Sequence, residues 1–408
     1  MKSTIDELAI FGGTPAFAEQ LHVGRPDSCD ANALFGRLSG MLNRRWLTND
    51  GPLLQEFERA VEAKLRVEHC VAMSSGTVAL ETAVRALELR GEVIVPAFTF
   101  IGTAHALRWM GLTPVFCDID RRTQNLNPQK VEEAIGPNTS GIVGVHLWGR
   151  PCDIEALSDI AERSNLKLVF DAAHAFGCSY RGVPIGNFGA AEVLSFHATK
   201  VVTTFEGGAV VTNDTRLAER VRLMRNFGFA DYDFVSCLGT NGKLSEAGAA
   251  MGLTSLESFE QRVSINRQWY KLYQECLAGE RVINCVTYEE TEDNNFRYIV
   301  VELDPAASGI TRDNLIRVLR AENVLARRYF FPGCHRMEPY RTERGSHPPL
   351  SETENVADRI LVLPTGGAIT PLAIEEICRI IRMCLASGEE VTKGLRRFTT
   401  RPMNIAVS

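Results

Sequence analysis

The stretch from Asp171 to Gly208 constrains the fold of this chain more than any other. A short apolar run, residues 166–170, leads to Asp171. A second, residues 191–196, leads through Ser195 to Lys200, and Gly207-Gly208 opens a third at 209–212. Short β-rich runs bounded by turn residues read as strands. They are apolar without clean alternation, which implies a sheet buried on both faces. A fold for this chain must therefore hold a carboxylate at one strand end and an amine just past another, inside a covered sheet.

The same pattern runs upstream. Strands are predicted at 71–73, 93–95, 114–118 and 141–146, each followed by a helix, at 78–89, 100–110, 128–134 and 153–163. This alternation predicts an α/β fold with a mainly parallel central sheet, and ligands on such sheets bind beyond the carboxyl ends of the strands. Helices are expected at 31–43 and 53–65 before the sheet and at 215–225 after it. Residues 226–242 read as a long loop with Gly and Phe, of a length that is often functional. Beyond helices at 245–256 and 259–277 the pattern changes to strands at 298–303, 324–327 and 361–364 with helices at 312–321 and 372–385. Three parts are predicted: an irregular segment 1–30, a large α/β domain 31–258 and a smaller α+β domain 259–408, with a polar, frayed tail from residue 394.

Composition narrows the function classes. The 408 residues carry a formal charge of −6 and a pI of about 5.9, which opposes a broad nucleic-acid-binding face. An anionic substrate must then be met by local basic groups or backbone donors. The start, MKSTIDELAIF, has acids and no long apolar core, so it does not read as a signal peptide. The apolar stretch 93–107 is interrupted by Pro96, Gly102 and His105, too often to span a bilayer. Eleven cysteines occur without a CxxC spacing, which predicts reduced thiols in a cytoplasmic protein. No metal site is expected, because Asp171 and His174 lack a second carboxylate nearby.

Asp171 and Lys200 together have the layout that a pyridoxal phosphate enzyme requires. The lysine forms a Schiff base with the cofactor aldehyde, and the carboxylate keeps the pyridine nitrogen protonated, so the ring can act as an electron sink. Ser74-Ser75-Gly76-Thr77, between a strand and a helix start, offers free N–H groups and a positive dipole end to an anion. Spacing alone leaves His174 either as a donor to the cofactor's phenolate oxygen or as a satisfied core histidine. Phe100 is either a core residue or a platform for an aromatic ring. His197 has no assigned role beyond packing.

Residues 30–390 resemble the DegT/DnrJ/EryC1/StrS nucleotide-sugar aminotransferases, a branch of fold-type I pyridoxal phosphate enzymes. The pieces that match are Ser75-Gly76-Thr77, Pro96-Ala97-Phe98-Thr99-Phe100, Asp118-Ile119-Asp120, Val145-His146-Leu147-Trp148-Gly149, Asp171-Ala172-Ala173-His174-Ala175, Ser195-Phe196-His197-Ala198-Thr199-Lys200, Glu206-Gly207-Gly208-Ala209 and Gly239-Thr240-Asn241. The resemblance implies that Lys200 bonds the cofactor and carries the proton, that Asp171 pairs with the pyridine nitrogen, that Phe100 stacks on the ring and that His174 lies near its phenolate oxygen. It implies that Ser75, Gly76, Thr77 and Ser195 hold the phosphate and that Asn241 completes the phosphate site of a partner subunit, in a homodimer with shared active sites. Many members have Gln where this chain has His174, and Glu where it has Phe170.

Within the family, Gly24-Arg25-Pro26, His146-Leu147-Trp148-Gly149-Arg150-Pro151, Phe330-Phe331-Pro332-Gly333-Cys334-His335 and Leu363-Pro364-Thr365-Gly366 look most like the members that aminate C4 of dTDP-4-keto-6-deoxy-D-glucose. Glutamate is the implied donor, with pyridoxamine phosphate carrying the amine between two half-reactions. Arg25, Arg327, Tyr329 and His335 are the expected sugar-nucleotide contacts. Action at C3, on a keto-cyclitol, or as a non-catalytic cofactor-binding regulator are the alternatives. Retention of Lys200 opposes the members that replace it by histidine and dehydrate or dehydrogenate.

Overall fold

The structure, a computed structural model, describes residues 2–342 and 349–397. Seven strands form the central sheet: β1 (His69–Met73), β2 (Glu92–Pro96), β3 (Thr113–Cys117), β4 (Thr139–Val145), β5 (Lys167–Asp171), β6 (Ala191–Ser195) and β7 (Gly208–Thr212), in the order β1-β7-β6-β5-β4-β2-β3. All pairings are parallel except those of β7, which runs antiparallel to β1 and β6. The expected mainly parallel α/β sheet is therefore present.

Both faces are covered, as the unbroken apolar runs require. Phe57, Leu168, Phe170, Leu194 and Phe196 pack on one side, and Leu80, Val84, Leu107, Val169 and Val193 on the other. Helix starts follow local chemistry. Asn127 caps Pro128–Ala134 by accepting from the N–H groups of Gln129 and Lys130, and Asp153 caps Ile154–Arg163 by accepting from Ala156. The helix expected from residue 78 begins earlier, at Gly76, because Ser75 accepts from the Val78 N–H and starts the first turn there.

A smaller three-stranded antiparallel sheet, Ile283–Cys285, Ile299–Leu303 and Ile360–Leu363, carries the helices Arg312–Ala321 and Pro371–Ala386. The first thirty residues, expected to be irregular, contain two short 3-10 turns and a strand, Leu21–His22, that pairs in parallel with Val324–Leu325. Leu8 is buried among the apolar residues packed around this smaller sheet. Glu322 accepts from the N–H groups of Ala9 at 2.6 Å and Ala16 at 2.7 Å, so a buried carboxylate satisfies backbone donors that have no ladder partner. The long loop at 226–242 is folded into a hairpin of Phe229–Asp231 with Phe234–Val235. Residues Gly394 to Arg397 belong to the helix Gly388–Arg397 rather than to a frayed tail, and 398–408 lie outside the described residues. All eleven cysteines are free thiols, and no helix among the described residues is long and apolar enough to cross a membrane.

The antiparallel β7 explains why the signature stretch converges. Its first residue, Gly208, stands opposite both Met73 at the end of β1 and Ser195 at the end of β6. A Cβ at Gly208 would lie 2.4 Å from the Gly76 nitrogen. Replacing Gly208 by Ala is therefore expected to push the Ser75–Thr77 turn away from the sheet, at a cost of roughly 1–3 kcal/mol. Denaturant unfolding of the variant checks this; an unchanged midpoint contradicts it.

Candidate active site

The carboxyl ends of β1, β5 and β6 and the start of β7 open into one cavity of about 1040 Å³. Ser75, Gly76 and Thr77 line it, as do Phe100, Asp171, His174, Ser195 and Lys200. The volume is at the upper end for small-molecule sites, roughly 300–1,000 Å³, which leaves space for a cofactor and a second ligand together.

Asp171 is the last residue of β5, and its carboxylate is fixed at both oxygens. Thr103 Oγ1 donates to Oδ2 at 2.8 Å and the Ala173 N–H donates to Oδ1 at 3.1 Å. Burial pushes the carboxyl above its ordinary value, while those two donors and the Lys200 charge act the other way. Lys200 Nζ donates to the Tyr298 hydroxyl at 2.9 Å. Burial lowers its pKa to about 8, with the Asp171 charge opposing that shift. An amine so placed has roughly a tenth of its population neutral at pH 7, against less than about one in a thousand for an ordinary lysine, and the neutral form is the nucleophile.

His174 is held in one tautomer. The Trp148 N–H donates to its Nδ1 at 3.2 Å, which leaves the proton on Nε2. Burial, aided by the Lys200 charge, drives the ring well below the ordinary histidine value, so it remains neutral and offers one N–H. Phe100 is 60% exposed despite its place in the cavity wall, so its ring is uncovered on the cavity side. A Cβ on Gly102 would meet that ring at 2.9 Å; only glycine there leaves the Phe100 ring where it is.

These features fit pyridoxal phosphate. The helix Gly76–Ala86 presents its N-terminal end, where the first N–H groups lack intrahelical acceptors. A Cβ on Gly76 would lie 3.2 Å from Ser195 Cβ, so the bare backbone is what leaves space for an anion between them. Cation, carboxylate, neutral imidazole, ring platform and anion cradle occupy one cavity.

The comparisons with known proteins agree. The sequence profile of the DegT/DnrJ/EryC1/StrS aminotransferase family matches residues 28–382. The chain belongs to that family. It is a pyridoxal-phosphate-dependent aminotransferase. It is 39% identical over 337 residues to a dTDP-4-amino-4,6-dideoxy-D-glucose transaminase of Shigella dysenteriae, covering 82% of this chain and 91% of that protein. A GDP-perosamine synthase of Caulobacter vibrioides is 35% identical, with 82% and 91% covered. Among solved structures, DesI in the presence of its TDP-sugar product superposes with a TM-score of 0.93 at 48% identity, over 96% of this chain and all of that one.

Within this family member, the other expected residues divide. Arg25, Arg327 and Tyr329 line the cavity. Arg25 arrives there because the strand Leu21–His22 lies beside Val324–Leu325, so residues just beyond the two strands reach the same rim. His335 does not line the cavity: it is buried, with Nε2 3.3 Å from Glu354 Oε1. Gly333, whose Cβ would lie 2.9 Å from the His335 ring, turns the chain away there. Asn241 is exposed on the strand-like bridge to Asn226 and lies outside the chain's own cavity.

Four residues that the sequence reading left without a role belong to the site. Thr103 fixes Asp171, Tyr298 holds Lys200, and Arg297 donates through Nε to the Thr199 carbonyl at 2.9 Å. His197, read as packing, lines the cavity with its Nδ1 2.8 Å from Thr199 Oγ1. Only Thr103 carried a usable signal, since it occupies the first turn of the helix that follows Phe100.

The lowered Lys200 pKa generates a pH prediction. Capture of pyridoxal phosphate by the apoprotein should accelerate as pH rises, because deprotonation creates the nucleophile, and level off above about 8. Stopped-flow absorbance measures it. A rate still climbing at pH 10, the range of an ordinary lysine, contradicts the buried amine.

Proposed function

We propose that this enzyme transfers an amino group from glutamate to C4 of dTDP-4-keto-6-deoxy-D-glucose, giving dTDP-4-amino-4,6-dideoxy-D-glucose in the cytoplasm, and that it works as a homodimer with shared active sites. The observation that carries the reading is the buried amine of Lys200, its pKa lowered to about 8, in the cavity that also holds Asp171. The choice of sugar rests on similarity to DesI and to the Shigella transaminase.

Bound pyridoxal phosphate supplies an electron sink that stabilises charge on the carbon losing its proton. The chain supplies the rest. The Ser75–Thr77 turn and Ser195 anchor the phosphate through N–H and hydroxyl donors. Asp171, held by Thr103 and Ala173, would pair with the ring nitrogen. His174 would offer its Nε2 proton to the phenolate oxygen, and Phe100 would lie against the ring. Lys200 removes a proton from Cα of glutamate and later delivers one to C4 of the sugar, so its Nζ alternates between neutral and protonated forms. A pKa of about 8 suits a group that must do both near neutrality. Arg25 and Arg327 supply cationic charge at the cavity rim for the carboxylates of the donor and the diphosphate of the acceptor.

Support for the dimer comes from the hairpin before Asn241. Tyr232 is 95% exposed, Leu238 69% and Phe234 61%. Exposed large apolar side chains of this kind mark a candidate protein contact, and a second copy seated there would bring Asn241 toward the neighbouring phosphate site.

Incubation with glutamate and a panel of 4-keto and 3-keto sugar nucleotides, with products identified by mass and NMR, tests the substrate. A product aminated at C3, or on a GDP-sugar alone, overturns the assignment. Lys200→Ala should abolish turnover with circular dichroism unchanged; activity retained in that variant removes Lys200 from the mechanism. Asn241→Ala should weaken cofactor affinity by roughly tenfold to a hundredfold, the cost of losing a hydrogen bond to a charged group. A mixed dimer of Lys200→Ala with Asn241→Ala chains should regain one intact site. If it shows only the activity of the Asn241→Ala chain, each site is self-contained.

A further inference from the structure

The smaller unit reaches into the cavity through two adjacent residues, Arg297 and Tyr298, just before its strand Ile299–Leu303. Both grip the lysine loop. Arg297 is buried and fully engaged: Nε donates to the Thr199 carbonyl, one terminal nitrogen pairs with Asp27 at 2.7 Å, and the other donates to the Arg25 carbonyl at 2.9 Å. Tyr298 is 8% exposed. Its ring is packed by His174 at 4.2 Å and Trp148 at 5.5 Å between centroids, and its carbonyl accepts from the Tyr288 hydroxyl at 2.9 Å. The phenol oxygen is thereby aimed at Lys200 Nζ, 2.9 Å away, while the Lys200 N–H donates to the His197 carbonyl at 2.9 Å. The lysine is held at both backbone and amine.

We propose that Tyr298 is a positioning residue for Lys200: its hydroxyl holds the lysine amine in the cavity whenever that amine is not bonded to the cofactor. The inference rests on the reading of Lys200 as the amine that bonds the cofactor. During each half-reaction that amine is released and must carry a proton, and a flexible four-carbon stem would otherwise leave it free to leave the reacting carbon. A phenol suits this role better than a carboxylate. Burial raises the Tyr298 hydroxyl above its ordinary value, so it stays uncharged and accepts from the ammonium or donates to the amine without trapping the proton. A second carboxylate beside Lys200 would hold the proton as an ion pair. The other charged or titratable groups facing Lys200 are Asp171, His174, Arg297 and Tyr329, and none of these lies within hydrogen-bond reach of Nζ in this structure.

Tyr298→Phe tests the assignment, because it keeps the ring packed against His174 and Trp148 and removes one oxygen. In the apoprotein, trace acylation of amines read by peptide mass spectrometry against pH gives the Lys200 midpoint, about 8 in the parent. Loss of the acceptor destabilises the ammonium, so the variant's midpoint should fall by about half to one pH unit. In the loaded enzyme the kinetic isotope effect with α-deuterated glutamate should rise, because proton transfer by a poorly placed amine becomes slower than other steps, while the glutamate KM changes less than about twofold. A midpoint that stays in place or rises overturns the contact. A lowered midpoint with an unchanged isotope effect overturns the role in turnover. If borohydride reduction of the loaded enzyme labels a peptide other than the one holding Lys200, the proposed function fails, and the acylation midpoint still reads the Tyr298 contact separately.

Discussion

An amine and a carboxylate buried in one cavity without bonding each other is the constraint on which this structure depends. A direct Asp171–Lys200 ion pair would neutralise both and leave neither for chemistry. The fold prevents it by giving each its own partner: Thr103 and the Ala173 N–H for the carboxylate, Tyr298 for the amine. The two charges then interact only at longer range, strongly enough to oppose desolvation of each other. Removal of either leaves the other buried and uncompensated, which raises the cost of losing it beyond the loss of one catalytic group.

The backbone arrangement that makes this possible is the reversal of β7 between β1 and β6. In an all-parallel sheet, the residue after a strand end is followed by a helix leading away from the site. Here the chain crosses from Lys200 and re-enters the sheet at the same edge through Gly207-Gly208, so the lysine loop is tied at both ends by strands. The Phe196 N–H donates to the Gly207 carbonyl at 2.8 Å, closing that loop at its base. Glycine at 208 and at 76 lets two backbones approach where side chains would hold them apart. The phosphate turn and the lysine loop are thus one unit, and the anion cradle is a consequence of sheet topology as much as of the helix end.

Much of this was legible in the sequence because it is local. Unbroken apolar runs closing on Met73, Asp171 and Ser195 state which residues stand at strand ends, and the helix expected at 128–134 starts at Pro128. What the sequence did not reveal is carried by contacts between distant segments. Tyr298 looks like the first residue of an ordinary strand, and nothing local says that its hydroxyl meets Lys200. The first thirty residues look irregular because their order comes from Glu322 and Val324, far along the chain. The same holds for His335, expected as a sugar-nucleotide contact: the turn at Gly333 and the contact with Glu354, neither visible in the local sequence, place its ring outside the cavity lining.

The division between these two kinds of information bears on how such an enzyme selects its acceptor. The residues proposed to hold the cofactor stand at or just beyond strand ends of the large sheet. The opposite wall is formed by Tyr298, Tyr329 and Phe330, with the buried Trp148 ring packed against them. The Trp148 and Phe330 rings stack at 5.4 Å and 6°, and Tyr329 and Phe330 at 5.1 Å and 10°. Arg327 lies over the Tyr329 ring at 5.4 Å, which places a cation on the outer end of this aromatic wall. That wall faces the cavity that holds Lys200, on the side away from the strand ends, so its packing can change without moving Asp171, Ser195 or the Ser75–Thr77 turn. The names of the Shigella and Caulobacter proteins carry different nucleotides at similar identity to this chain, so overall similarity does not by itself fix the acceptor.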